Sequence, residues 1–220
     1  MKLTYDDKIA VLELGDDENR FSPSFLDEIE QVLDDVVAAG KQGEAHGLVT
    51  TAAGKFYSNG LDLDWLMANG DRTDWYVGRV QALLARVLTL PIPTAAAVVG
   101  HAFGAGAMLA IAHDFRVMRA DRGFFCFPEV DIRIPFTPGM AALIQAKLTP
   151  QAQVASMTTG RRFGGQDAAA AGIVDGTAGE GAVSAGALDL LRPLAGKDTG
   201  TLGAIKATMF GPAVAALTAG

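Results

Sequence analysis

Cysteine is almost missing from this chain. The one thiol, Cys126, cannot build an intramolecular disulfide framework or a cysteine-based zinc site, and it suits a reducing compartment. The histidines, His46, His101 and His113, are too scattered to form a metal motif, so no metal is expected. Cations are in deficit as well. Eighteen Lys and Arg stand against 25 Asp and Glu, a formal net charge of −7. A protein that holds nucleic acid or an anionic membrane through its overall charge does not have this balance. An anionic small molecule would need a local basic patch. The opening segment MKLTYDDKIAVLEL has no apolar signal core, which leads to the expectation of a cytoplasmic protein. One long stretch lacks charge: 27 residues between Arg86 and Asp114. Pro91, Pro93, Gly100, His101, Gly104 and Gly106 interrupt it, so it reads as a buried strand, a tight glycine loop and a buried helix rather than a membrane span.

What is abundant is small and apolar. The chain of 220 residues holds 38 Ala and 26 Gly, and hydrophobic residues make up 50% of it. Such a composition excludes disorder and implies close backbone approach. The length suffices for one core, so a single domain over residues 1–220 is expected, with a body at about 1–180 and a helical C-terminal segment at about 181–220. Period-two alternation predicts a strand at Ile9–Leu14 after a turn at Asp6-Asp7. Ser22-Pro23 opens a helix with Phe25, Ile29, Val32, Leu33, Val36 and Val37 on one face and a stop near Gly40. Strands are predicted at Gly47–Thr51, Thr94–Val99 and Phe115–Met118, and Phe124–Phe127 is a further apolar segment. Ala52–Gly60 reads as a loop. Helices are predicted up to Met67, at Thr73–Leu90, Gly104–His113, Pro138–Leu148, Pro150–Thr159 and Gln166–Ala171, and through the last forty residues. The alternation of strands and helices gives an α/β core with a helical C-terminal portion.

Three segments can carry chemistry. In PIPTAAAVVGHAFGAGAMLAIAHD, a buried strand runs into Gly100, Gly104 and Gly106, and a helix begins near Ala105. Backbone N–H groups at that helix start can stabilise a developing negative charge, although the same pattern serves ordinary helix–strand packing. KFYSNGLDLDW places Ser58, Asn59 and Gly60 before a helical turn, so the Leu61 N–H could face the same cavity; a plain turn would look alike. FFCFPEVDIRIP sets Glu129 directly after Phe124, Phe125, Cys126, Phe127 and Pro128. Desolvation there would raise its pKa toward neutrality, where a carboxyl can both take and return a proton; a surface glutamate at a strand end is the alternative. Asp131 reads as a turn or cap residue. Arg72, Arg79 and Arg86 repeat every seven residues and share a helix face that could hold phosphates or could simply be solvated. A serine-hydrolase reading of Ser58 with His101 lacks a nucleophile elbow.

Taken in order, KFYSNGLDLDW, IPTAAAVVGHAFGAGAMLAIAHDFRVMRADRG, FPEVDIRIPFTPG and GRRFGGQDAAAAGIVD resemble the enoyl-CoA hydratase/isomerase (crotonase) family over about residues 3–210. FYSNGLDL, VGHA, MRADRG and EVDI are most similar to its short plant-peroxisomal type of Δ3,Δ2-enoyl-CoA isomerase. The resemblance implies a crotonase-like spiral of ββα turns and a homotrimer or hexamer built through the C-terminal helices. It implies an acyl-CoA thioester substrate, with no cofactor beyond the coenzyme A that the substrate carries. The Leu61 and Ala105 N–H groups would form the oxyanion hole, Ala105 standing where Gly is common. Glu129 would be the catalytic carboxylate, and Ser58, Asn59, Gly60, His101, Gly104, Met108 and Phe136 would line the substrate site. Lys55 could add to the basic patch for the CoA phosphates, and Lys206 would lie near the CoA of a neighbouring subunit. Hydratases of this family use two glutamates, and the position of the first is Met108 here, which favours isomerisation. Arg133, in place of a usual glycine, and Phe136-Thr137 would reshape the acyl pocket. Hydration, thioester hydrolysis and non-catalytic acyl-CoA binding remain the alternatives.

Overall fold

The computed structural model describes residues 1–219; Gly220, at the end of the expected C-terminal segment, lies outside the described residues. Nine strands and eleven α-helices follow one another among the described residues. The strands β1 (Lys2–Asp6) and β2 (Ile9–Glu13) lead to α1 (Pro23–Lys41) and β3 (Gly47–Thr51). Next come β4 (Phe56–Ser58), α2 (Leu63–Ala68), a 3-10 turn at Gly70–Arg72 and α3 (Thr73–Leu88). The centre of the chain is β5 (Thr94–Val98), β6 (His101–Phe103), α4 (Ala105–Ala112), β7 (Phe115–Arg119), β8 (Phe125–Cys126) and α5 (Glu129–Ile132). The remainder is α6 (Pro138–Lys147), α7 (Pro150–Met157), α8 (Gly165–Ala170), β9 (Gly176–Ala178), α9 (Val183–Leu191), α10 (Thr199–Met209) and α11 (Gly211–Leu217).

Helix starts follow local chemistry. Ser22, Thr137 and Thr149 each turn a hydroxyl onto the N–H three residues on, and each is followed by proline at the first helical position. The buried face of α1 is Phe25, Leu26, Ile29, Leu33 and Val36, close to the face expected from its period. The helix α4 shows no polar face at all. All eight of its residues are buried, because it is packed on every side.

The strands form two sheets. The larger has the order β1-β2-β3-β5-β7-β9, antiparallel between β1 and β2 and parallel elsewhere. Its two faces explain why β5 does not alternate. Ala96 and Val98 enter the main core with α1, α3, α4 and α6, while Ala95 and Ala97 enter a second core under α9 with Val183, Ala187, Leu188 and Leu191. The smaller sheet is β4-β6-β8, all parallel. All three of its strands fell inside segments read from sequence as loop or as an unassigned apolar run. Strands of two or three residues carry too few positions for a period.

The C-terminal helices fold back on the body. Lys206 of α10 is buried, and its ammonium reaches Asp114 Oδ2 at 2.6 Å and the Ile92 carbonyl at 2.8 Å. The same carboxylate oxygen accepts from the Thr94 N–H at 2.8 Å, so one ion pair ties α10 to the start of β5 and the end of α4. Desolvation lowers the Lys206 pKa, and Asp114 works against that shift. No single helix is long and apolar enough to cross a membrane; α10 and α11 pass that test only together, and they are bent by 73°.

Removing one partner of a buried pair leaves the other charge uncompensated. Lys206→Met is expected to lower unfolding free energy by about 2 kcal/mol, the usual penalty being reduced because Asp114 keeps 19% of its side chain exposed. Urea denaturation of the two proteins at equal concentration measures it.

Candidate active site

The small sheet brings the three segments together. Leu61 follows β4, Ala105 follows β6 and Glu129 follows β8, so all three stand beyond the C-terminal ends of adjacent parallel strands. Neighbouring strands lie about 4.8 Å apart. The Gly104 N–H donates to the Cys126 carbonyl at 3.0 Å, which fixes the Ala105 turn beside the Glu129 turn.

Gly60 closes the other side. Its φ is +79°, and a Cβ there would stand 2.7 Å from the Phe103 carbonyl oxygen and 2.8 Å from the Ala105 nitrogen. Only glycine tolerates both conditions. The peptide that carries the Leu61 N–H is thereby pressed against the start of α4. Neither the Leu61 N–H nor the Ala105 N–H donates to a protein acceptor among the described residues. Two residues with free N–H donors, one at the N-terminus of a buried helix, thus line one cleft.

The carboxyl of Glu129 is the third component. Glu129 is 9% exposed, and its Oε2 is buried without a hydrogen-bond partner in the protein. Burial pushes its pKa up to about 7, and its own backbone N–H pulls weakly the other way. The cleft has a volume of about 410 Å³ and is walled by Met108, Met140, Phe136 and Leu61, with Leu63, Met67, Ile132 and Ile134 at an exposed apolar rim. Asp64 is the other carboxylate on it, and Arg20 holds that group at 2.6 Å. Cys126 also faces the cleft, but burial pushes its thiol up to about 11, so it stays protonated.

Of the residues expected from sequence, Asn59, Leu61, Gly104, Ala105, Met108, Glu129 and Phe136 line this cleft. Others do not. Ser58 is fully buried, and its hydroxyl donates to the Asn19 carbonyl at 2.8 Å and accepts from the Gly60 N–H at 3.1 Å. It holds the Gly60 turn and is closed to substrate. His101 stands outside the lining, its Nδ1 accepting the Phe124 N–H at 3.2 Å. Desolvation and the charges of Lys55, Arg122 and Arg162 lower its pKa. Lys206 is turned inward onto Asp114 and does not join the site. The spacing of Arg79 and Arg86 does put them on one face, yet that face meets α1: Arg79 pairs with Asp27 and Glu30, and Arg86 with Asp34. Arg72 lies over the Trp75 ring at 3.9 Å. The cations around the cleft are Arg20 and Arg162, with Lys55 and Arg122 beyond His101. Nothing in the spacing of Arg20 or Arg162 marks them; the fold alone brings them here.

The arrangement can bind a carbonyl oxygen between two N–H donors and move a proton at the neighbouring carbon. Comparison with known proteins agrees with that chemistry. The model of the family described as enoyl-CoA hydratase/isomerase matches residues 4–219. Enoyl-CoA delta isomerase 3 of Arabidopsis thaliana is 38% identical over 173 residues, which covers 76% of this chain and 72% of that protein. The peroxisomal enoyl-CoA delta isomerase 2 of the same plant is 38% identical over 171 residues, 74% of this chain and 70% of that one. Among solved structures, the apo enoyl-CoA isomerase of Mycobacterium tuberculosis superposes with a TM-score of 0.88 at 26% identity, over 99% of this chain and 94% of that one.

A carboxyl whose pKa rises on folding is charged more readily in the unfolded chain. Stability is therefore lost as pH rises from the unfolded value of 4.5 through the folded value of about 7. Glu129→Gln removes this penalty. The variant is expected to be more stable than the parent by about 3 kcal/mol at pH 8, with the difference fading toward pH 5. Denaturant titrations at the two pH values check both the sign and the window.

Proposed function

The chain belongs to the enoyl-CoA hydratase/isomerase family, and from that membership we propose that it is a Δ3,Δ2-enoyl-CoA isomerase in which Glu129 moves the proton. The observation that carries this reading is the pairing of Glu129 with Met108. Both line the cleft, and by the family resemblance Met108 holds the position of a two-carboxylate hydratase's first glutamate. Asp64 cannot replace it, because Arg20 holds that group and 77% of its side chain is exposed.

The thioester oxygen of a 3-enoyl-CoA accepts the Leu61 and Ala105 N–H groups. The Glu129 carboxylate takes a proton from C2. The C2–H electron pair forms a C1=C2 bond and pushes the carbonyl π pair onto the thioester oxygen, giving a dienolate; as the carbonyl re-forms, the C1=C2 pair shifts to C2=C3 and the C3=C4 pair takes the proton at C4. The protonated Glu129 then donates to C4, leaving a 2-enoyl-CoA and restoring the carboxylate. One group serves both transfers because its pKa of about 7 lets it hold the proton briefly and release it. A chain of net charge −7 requires a local cluster for a polyanion, and Arg162, Arg122 and Lys55 supply one beside the cleft. The apolar residues Ile205 and Met209, 55% and 68% exposed on α10, and Val154 on α7 support assembly into a homotrimer or hexamer. A cytoplasmic location belongs to the same reading.

The test is conversion of a 3-enoyl-CoA to the conjugated 2-enoyl-CoA, followed by thioester absorbance. Glu129→Gln is expected to lower kcat by about 10³-fold. For the parent, kcat/KM should rise with pH through about 7, since the base must be ionised to act. Full activity in the variant would remove Glu129 from the mechanism. Rapid hydration of a 2-enoyl-CoA, or release of free CoA, would overturn the isomerase assignment.

A further inference from the structure

Deep in an otherwise apolar core lies a chain of four polar groups. Thr50 is 1% exposed, and Tyr57 and His113 are fully buried. The Tyr57 hydroxyl is 2.7 Å from Thr50 Oγ1, Thr50 Oγ1 is 3.0 Å from His113 Nε2, and His113 Nδ1 is 2.8 Å from the Leu109 carbonyl oxygen. The direction of every bond follows from the last one. A carbonyl only accepts, so Nδ1 carries the ring proton. Burial holds the His113 pKa down at about 4, so the ring is neutral and Nε2 accepts. Thr50 must then donate to His113, and its oxygen accepts from Tyr57. The relay runs Tyr57 to Thr50 to His113 to the backbone of α4, with each bond polarising the next.

Its endpoints are informative. Tyr57 sits in β4 at a break in register between Phe56 and Ser58, four residues before Leu61. Such a bulge leaves a three-residue strand with few ladder bonds to fix it. Leu109 lies midway along α4 and His113 caps its far end, while its near end carries Ala105. Thr50 lies in β3, paired with Leu12 on one side and Ala96 on the other, at the interior of the large sheet. At the near end β4 and α4 are already in contact, since a Cβ on Gly106 would overlap the Ser58 carbonyl. The two elements that present the free N–H groups are thus fastened at both ends of α4, about 12 Å apart, and to one fixed strand.

Apolar side chains of similar shape would fill the same space without the desolvation penalty. What the polar chain adds is direction: it sets how β4 and α4 stand relative to each other. We propose that the Tyr57–Thr50–His113 relay is the positioning device of the oxyanion hole, holding the Leu61 and Ala105 N–H groups on one thioester oxygen. The inference rests on the isomerase reading of the cleft. None of the three side chains lines the cleft, so they are positioning residues and not catalytic ones.

Tyr57→Phe, Thr50→Val and Thr50→Ser test it. Tyr57→Phe removes one hydroxyl and leaves no buried donor unpaired, so it keeps the fold. The readouts are kcat and KM for a 3-enoyl-CoA and the carbonyl stretching frequency of bound 2-enoyl-CoA, measured by difference infrared spectroscopy well below the unfolding temperature. Tyr57→Phe and Thr50→Val are expected to lower kcat about tenfold with KM within twofold, and to reduce the downward shift of the carbonyl band. Thr50→Ser, which restores the hydroxyl, should return both toward the parent. Unchanged kcat and carbonyl band in Tyr57→Phe and Thr50→Val overturn the inference while leaving the oxyanion hole intact. A parent enzyme whose bound carbonyl shows no shift overturns the reading of the cleft and this inference with it.

Discussion

The structure depends on one constraint: three strands of two or three residues must lie parallel and in order, β4 beside β6 beside β8. Each ends at a turn that carries one of the candidate groups, and the strand spacing sets how far apart those groups stand. So small a sheet cannot hold itself together. It is held from outside. The Asn19 amide donates to the carbonyls of Phe56 and Tyr57, Ser58 bonds the Asn19 backbone, and Phe21 bonds the Gly60 carbonyl. Behind it, α4 is clamped between the two sheets with no face left to water. The alanines and glycines that dominate the composition serve this geometry, because a larger residue at Gly60 or Gly106 would drive β4 away from α4.

Much of this was legible in sequence, and the failures share a cause. Long elements were found because their periods repeat: α1, α3, β3 and β5 lie within two residues of their expected limits. The candidate groups Leu61, Ala105 and Glu129 were singled out by glycine, proline and a carboxylate after an apolar run together with the family resemblance, since local chemistry alone left a plain turn, ordinary packing and a surface glutamate open. The small sheet was missed because two or three residues show no period. Ser58, Lys206 and the arginines of α3 were misread for a different reason. Each is a polar group whose partner lies far off in sequence: Asn19, Asp114, and Asp27, Glu30 and Asp34 of α1. Local sequence says that a cation is present; only the fold says whether it is already paired.

Electrostatics sort those groups into two kinds. The pairs at Lys206–Asp114 and Arg116–Asp175 satisfy buried charge and fasten the C-terminal part of the chain to the body. Glu129 is left unsatisfied. Burial raises its pKa, and neither a salt bridge nor a hydrogen bond to Oε2 offsets that rise. A salt bridge at that position would stabilise the fold and hold the carboxylate ionised, too weak a base to take a proton from carbon. In the proposed mechanism the absence of a partner is therefore part of the chemistry, and the stability it forgoes must come from the ion pairs and the core elsewhere.

The same logic explains why Met108 matters beyond the loss of a carboxylate. Two carboxylates facing one small apolar cleft would repel each other's ionised form, and one would hold a proton at neutral pH. With Met108 in the first turn of α4, Glu129 titrates alone, in a field set by burial. Met108 also adds apolar surface to the cleft where a carboxylate could have oriented a water. Isomerisation needs only a proton moved from one carbon to another two bonds away, and a lone carboxyl between two such carbons is sufficient for it. Met108 thus leaves Glu129 to titrate by burial, as the proposed isomerisation requires.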